Sequence, residues 1–288
     1  MLAKAATLPA DEVFLDLEDA VAPLEKNDAT RALVARALRQ QEWLAATKVV
    51  RVNAVSTPWC FRDIVGVVEG AREALDCIML PKVECAGDVE FADRLLGQLE
   101  TELGLPHPIG LEIQIESPRG LVDVDAIAAA SPRIETLIFG PGDFAASTGM
   151  PQLTVGAVDP GYEGDVWHFV LWRILIAARA RGLQAIDGPY AQIRDPEGFL
   201  RVARRSRALG FDGKWALHPD QVGVCNEVFS PSVEQFDRAT RIVAAYAEAT
   251  DGQRVGAVMF EGEMIDEASR KMAEQVVARG QAAGLGAA

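Results

Sequence analysis

Seven short apolar runs alternate with helix-length amphipathic segments along this 288-residue chain, and few folds accommodate that alternation. The runs are 12–17 (EVFLDL), 48–53 (KVVRVN), 76–80 (DCIML), 109–116 (IGLEIQIE), 136–139 (TLIF), 184–186 (QAI) and 214–217 (KWAL). Segments 27–40, 61–73, 89–103, 120–130, 166–181 and 197–209 carry helical periodicity. Alternation at this spacing predicts parallel strands joined by helices, and seven such units run too long for an ordinary open sheet. The economical reading is an α/β fold, a TIM (β/α)8 barrel short of its first strand, occupying residues 1–229 after a short helix within 1–10. Residues 230–288 read as a C-terminal helix-hairpin-helix lid: a helix over 232–249, a turn at Asp251-Gly252, a hairpin over 255–266 and a last helix over 267–279. The end, GQAAGLGAA, is expected to fray.

With 49% hydrophobic residues the chain can bury a large core. A net charge of −14 argues against nucleic acid and against an anionic membrane surface as partners. An anionic substrate would need basic side chains gathered locally. Cys60, Cys77, Cys85 and Cys225 form neither a CxxC motif nor a dense disulfide pattern, which fits buried thiols in a reducing cytoplasm. The longest apolar stretch, FVLWRILIAARA, is interrupted by Arg173 and is too short to span a bilayer.

Chemistry is expected where strands end. The runs 109–116 and 136–139 flank one helix-like segment, so they are predicted to be parallel neighbours that bring Glu116 and Asp143 to one rim. Two oxygen donors there, beside the Gly140-Pro141-Gly142 turn, suit a hard cation such as Mg2+ with positions left for substrate oxygens. Alternatively, Glu116 is a solvated strand-end residue and Asp143 caps the next helix. Other strand ends deliver Asp16, Glu18 and Asp19, then Arg51 and Asn53, then Lys82 and Glu84, for which a site role and an exposed ion pair are equally good readings. His107, His168 and His218 form no metal cluster; His218 ends a strand and either meets a substrate arm or steadies the turn.

Taken together, VFLDLEDAVAP, VVRVNA, IMLPKVE, IQIESPRGL, FGPGDFAASTG, DGKWALHPDQ and FEGEMID resemble the citrate lyase beta-subunit-like and malyl-CoA lyase family, within the phosphoenolpyruvate/pyruvate-type TIM barrels. The resemblance covers nearly the whole chain. It implies Mg2+ held by Glu116 and Asp143, a substrate-binding and catalytic arginine at Arg51, and Glu18 and Asp19 as groups that hold metal-bound water and orient ligands. It implies that Gly140, Pro141 and Gly142 border the substrate. It also implies that Asp266, otherwise the N-cap of the last helix, acts as the acid/base in a neighbouring subunit's site. Family members begin with one more strand and a Pro-Gly turn with basic residues, so the barrel is expected to lack that strand and part of a CoA phosphate contact.

The implied activity is Mg2+-dependent cleavage of a 3-hydroxyacyl-CoA (malyl-CoA, beta-methylmalyl-CoA or citramalyl-CoA) to a 2-oxo acid and an acyl-CoA. Rivals are a citrate lyase beta-like subunit acting on a citryl thioester, a malyl-CoA thioesterase, a malate synthase and, least favoured, a non-catalytic barrel subunit. The apolar side chains of the expected hairpin need a cover, which favours a homo-oligomer, a trimer or hexamer.

Overall fold

A computed structural model describes residues 2–151, 153–156, 161–253 and 256–286. Met1, Val255 of the expected hairpin and the last two residues of the tail lie outside the described residues. The chain divides into two compact units, Met1–Cys225 and Asn226–Ala288.

The first unit is built on a parallel sheet whose strands follow sequence order: β1 (Glu12–Asp16), β2 (Thr47–Arg51), β3 (Cys77–Leu80), β4 (Gly110–Ile115), β5 (Ile134–Phe139), β6 (Gln184–Asp187) and β7 (Gly213–Lys214). After α1 (Leu2–Ala5), the connecting helices are α2 (Asp28–Gln40), α3 (Cys60–Ala71), α4 (Ala86–Leu103), α5 (Pro118–Val122), α6 (Val124–Ala128), α7 (Pro141–Thr148), α8 (His168–Ala180) and α9 (Pro196–Leu209); α10 (Pro219–Phe229) follows β7. Local chemistry sets the boundaries. Asn27 caps α2 by accepting from the amides of Ala29 and Thr30, and Asp195 caps α9 through Gly198. Gly104 and Gly210 end α4 and α9 in the left-handed conformation that glycine adopts most readily.

The sheet curls on itself. Val49, Cys77, Met79, Ile138 and Trp215 form one buried cluster with Phe14 and Ile186 packed against it, so the inward faces of first, middle and last strands meet. Phe14 of β1 and Trp215, just past β7, stack with ring centroids 4.5 Å apart. Aromatic side chains therefore close the distance between the two edge strands, which no backbone ladder joins among the described residues.

β4 shows why alternation alone misleads about burial. Glu112 pairs in register with the inward Met79 of β3, so Glu112 and, two residues on, Gln114 face the interior of the curl while both faces are buried. Glu116 continues that inward polar row to the strand end.

Several expected elements differ. The helix over 120–130 is two short helices meeting at Asp123. The strand over 214–217 shrinks to Gly213–Lys214, because Trp215 turns in to stack and the amide of Leu217 is taken by the Gln221 side chain. Pro219, suited to a first helical turn, then starts α10, an element the sequence reading passed over.

In the second unit, α11 (Val233–Gln253) runs straight through Asp251-Gly252, where a turn was expected; the helix tolerates that glycine near its end. β8 (Ala257–Phe260) and β9 (Glu263–Asp266) form an antiparallel hairpin, and α12 (Glu267–Ala282) packs against α11. Phe236 of α11 lies so close to Gly280 that a Cβ there would sit 2.2 Å from the ring.

Candidate active site

The carboxyl ends of β1 to β5 assemble a charged cluster whose members are linked contact by contact. Arg51, the last residue of β2, donates Nε to Asp16 Oδ1 at 2.9 Å and Nη2 to Asp16 Oδ2 at 2.7 Å, a bidentate fork. Its Nη1 lies 3.1 Å from Glu18 Oε2 and its Nη2 lies 3.5 Å from Asp19 Oδ2. The guanidinium also stacks over Phe14 and Trp215, at 5.9 and 5.4 Å from the ring centroids. Burial pulls the Arg51 pKa down, but Asp16 and Glu18 outweigh it and hold the side chain firmly protonated.

Glu18 passes the contact on. Lys82, just past β3, donates Nζ to Glu18 Oε1 at 2.5 Å and lies 3.1 Å from Asp143 Oδ2, while its backbone amide donates to Glu116 Oε1 at 3.3 Å. Lys82 has φ +53°, a left-handed conformation that a lysine rarely adopts and that turns its amide and side chain into the cluster. Burial pushes Glu18 above the usual carboxylate range against the pull of Lys82 and Arg51.

Glu116 and Asp143 complete the cluster. Burial pushes the Glu116 carboxyl up to about 8; Lys82 pulls it down, and the Asp143 and Glu18 charges push it further up. Gly140 makes the Glu116 position possible, since a Cβ there would stand 2.4 Å from Glu116 Cγ. Pro141 and Gly142 open α7 and place Asp143 in its first turn, where the helix dipole favours a carboxylate.

Two supports around this cluster were not foreseen. Asp63 accepts from the amide and Nδ2 of Asn53 and from Arg31 Nε, and Asn53 Nδ2 also donates to the Leu17 carbonyl, so β2 and the segment after β1 are locked together. Lys26 donates to the Glu18 carbonyl at 2.8 Å and to Asn53 Oδ1. The signal for Asp63 was present: it is the one acid on the otherwise apolar stripe of α3. On the other side, Asp187 at the end of β6 is buried and takes hydrogen bonds from Lys214 Nζ (2.7 Å) and Ser206 Oγ (2.5 Å). Burial pushes Asp187 up, but Lys214 and Arg205 outweigh it and leave the carboxyl below its usual range. The next residue, Gly188, packs where a Cβ would meet the Phe139 carbonyl at 2.2 Å and Pro141 Cδ at 2.3 Å, so this network backs the turn that carries Asp143.

The structure thus brings together Glu18, Asp19, Arg51, Lys82, Glu116 and Asp143, bordered by Gly140. Glu84 is exposed and outside the cluster. Asp266 belongs to the second unit, where its carboxylate caps α12 by accepting from the Ser269 amide at 3.0 Å. His168 packs edge-on to Trp172, and His218 lies 3.4 Å from the exposed Asp220.

Among the described residues no group of three or more His, Cys, Asp or Glu is set to hold a metal. The pair Glu116 and Asp143 nevertheless fits Mg2+, which is held by one or two carboxylates with its other positions left to water and substrate oxygens. Burial and the neighbouring Asp143 and Glu18 charges raise the Glu116 pKa, and a hard dication would offset them.

The HpcH/HpaI aldolase/citrate lyase family profile matches residues 1–219. The L-malyl-CoA/beta-methylmalyl-CoA lyase of Cereibacter sphaeroides (strain ATCC 17025) is 42% identical over 283 residues, covering 95% of this chain and 88% of that protein. Citrate lyase subunit beta of Escherichia coli K12 is 33% identical, covering 99% and 90%. The crystal structure of protein CitE from Mycobacterium tuberculosis in complex with magnesium, acetoacetate and coenzyme A superposes with a TM-score of 0.74 at 33% identity, covering 97% of this chain and 92% of that one.

Proposed function

This chain belongs to the HpcH/HpaI aldolase/citrate lyase family, and from that premise we propose a carbon–carbon lyase that cleaves a 3-hydroxyacyl-CoA of the malyl-CoA or beta-methylmalyl-CoA type into a 2-oxo acid and an acyl-CoA. The observation that carries the proposal is the convergence of Glu116 and Asp143 with Arg51 and Lys82 on one rim, joined through Glu18. Mg2+ bound by Glu116 and Asp143 would supply the Lewis acidity that stabilises charge on the 2-oxo acid oxygens.

Arg51 is aimed by Asp16, so its charge reaches the substrate carboxylate or thioester oxygen in a fixed orientation; a planar fork suits that task better than a lysine. Lys82 balances Glu18 and Asp143 and keeps the rim from becoming a purely acidic surface that would repel an anionic substrate. Gly140, Pro141 and Gly142 would border the substrate, with Gly140 making room for the Glu116 side chain. Asp266 would exchange the proton at the carbon next to the thioester in a neighbouring subunit's site, within a cytoplasmic homo-oligomer of trimeric type. The curled sheet would be the body of a (β/α)8 barrel, with the second unit as its lid. No helix among the described residues is long and apolar enough to cross a membrane.

A panel of malyl-, beta-methylmalyl-, citramalyl- and citryl-CoA, assayed with and without Mg2+, tests the reading. Mg2+-dependent release of glyoxylate or pyruvate with an acyl-CoA is the expected outcome. Release of free CoA alone would replace the lyase with a thioesterase. The similarity to citrate lyase subunit beta makes oxaloacetate release from a citryl thioester the second reading. Reassembling Asp266→Ala with Glu116→Ala chains tests the shared site: partial recovery is expected, and a dead hetero-oligomer would confine Asp266 to its own chain.

A further inference from the structure

The outer, helical layer of the first unit holds a second concave surface. A groove of about 680 Å3 runs between α2 and α3, within the range of small-molecule sites. The two helices follow adjacent parallel strands, so they run side by side in the same direction, and Phe61 to Gly70 spans about 14 Å of groove at ~1.5 Å per residue.

The charge of this groove opposes that of the molecule. In a chain of net charge −14, its walls carry Arg36, Arg39 and Arg62. Arg36 and Arg62 are exposed and make neither an ion pair nor a hydrogen bond among the described residues, and Arg39 only reaches the Gly70 carbonyl at 3.5 Å. Arg31 forms part of the lining as well. Its Nε is bound to Asp63 and its Nη1 to Asp28, yet its Nη2 is buried with no hydrogen-bond partner, and the side chain is only 5% exposed. That nitrogen is closed to solvent, so the cations open to a ligand are Arg36, Arg39 and Arg62, and three of them in one groove favour an anion. At one end Phe61 is 47% exposed, with the Arg62 guanidinium 5.3 Å from its ring centroid, which offers a flat aromatic face. Gly66 and Gly70 let the two helices pack closely beneath the groove, since a Cβ would stand 3.2 Å from Arg31 Cδ at the first and 2.6 Å from Ala35 Cβ at the second.

We infer that the α2–α3 groove binds a nucleoside polyphosphate, with the base on Phe61 and the phosphates along Arg36 and Arg39. This site is separate from the strand-end cluster and uses none of its residues. Glu69, also in the lining, is an acceptor suited to ribose hydroxyls.

The test is calorimetric titration of the full chain with ATP, adenosine, tripolyphosphate and a poly-glutamate peptide, repeated on Arg36→Ala/Arg39→Ala and on Phe61→Ala after their melting curves confirm an intact fold. Saturable ATP binding that weakens at least ~10-fold in the double variant is expected, as for the loss of phosphate contacts worth about 1.4 kcal/mol or more. Phe61→Ala should weaken ATP at least about fivefold and leave tripolyphosphate unchanged. Absence of saturable ATP binding would overturn the inference, as would equal affinity in the double variant or tighter binding of poly-glutamate than of ATP.

Discussion

Two glutamates four residues apart, one within β4 and one just past its carboxyl end, meet opposite surroundings. Glu112 lies on the inward row of β4 and Glu116 just past its end, and both are nearly inaccessible, at 1% and 3% exposure. Burial raises the pKa of each. Around Glu116 stand Lys82, Asp143 and a glycine turn at the strand ends; around Glu112, near the amino end of the sheet, the charges are further acids, Glu12 and Glu135. Glu112 hydrogen-bonds the Glu12 carboxyl, and its Oε2 has no partner. Burial alone therefore does not distinguish the two carboxyls. A cation within reach does, and of the two only Glu116 has Lys82 beside it.

The comparison can be broken most severely by exchanging each acid for its amide. Glu116→Gln and Asp143→Asn should each lower kcat/KM by at least ~10³-fold with little change in melting temperature, whereas Glu112→Gln should leave turnover within about twofold. Comparable losses at both positions would mean that β4 contributes to chemistry along its whole inward row. Next in size, Arg51→Lys keeps the charge but loses the fork to Asp16, and a loss of roughly 10²-fold is expected, carried mainly by kcat if Arg51 serves the transition state. Gly140→Ala would place a methyl against Glu116 and force the carboxylate aside; a displacement near 1 Å predicts about 10²-fold lower activity, with about 1–3 kcal/mol of destabilisation from overpacking.

Glu112 supplies the smallest and most specific effect. Its folded-state pKa lies above the unfolded value, so its contribution to stability is full below the ordinary glutamate range and is lost as pH rises through the folded value. The unfolding free energy of Glu112→Gln should therefore gain on that of the native chain as pH rises from acid to neutral, by no more than about 1.4 kcal/mol per pH unit, read from denaturant melts across pH. A gap that is constant with pH would show that the carboxyl is already compensated.

Much of this arrangement was legible in the residues. The alternation of apolar runs and helices fixed seven parallel strands, and Ser-Pro after Glu116 and Gly-Pro-Gly before Asp143 marked the strand ends that meet. Burial was less legible: the polar positions of β4 look solvent-facing in a linear reading, and only curvature turns them inward. The long-range supports Asp63 to Asn53 and Asp187 to Lys214 join residues whose closeness depends on the curl, so no local period announces them. Lys82 was ambiguous because its inward turn depends on a left-handed backbone that side-chain type does not signal. Past β7, the single Trp215 stack outweighed strand propensity over the rest of KWAL.

That same stack equips the molecule with an optical gauge. Arg51 rests over the Trp215 ring, so any ligand that draws the guanidinium toward the rim alters the electric field on one indole. In a variant that retains Trp215 as its sole tryptophan, emission wavelength would report occupancy of the strand-end cluster in real time, without a label or a coupled assay.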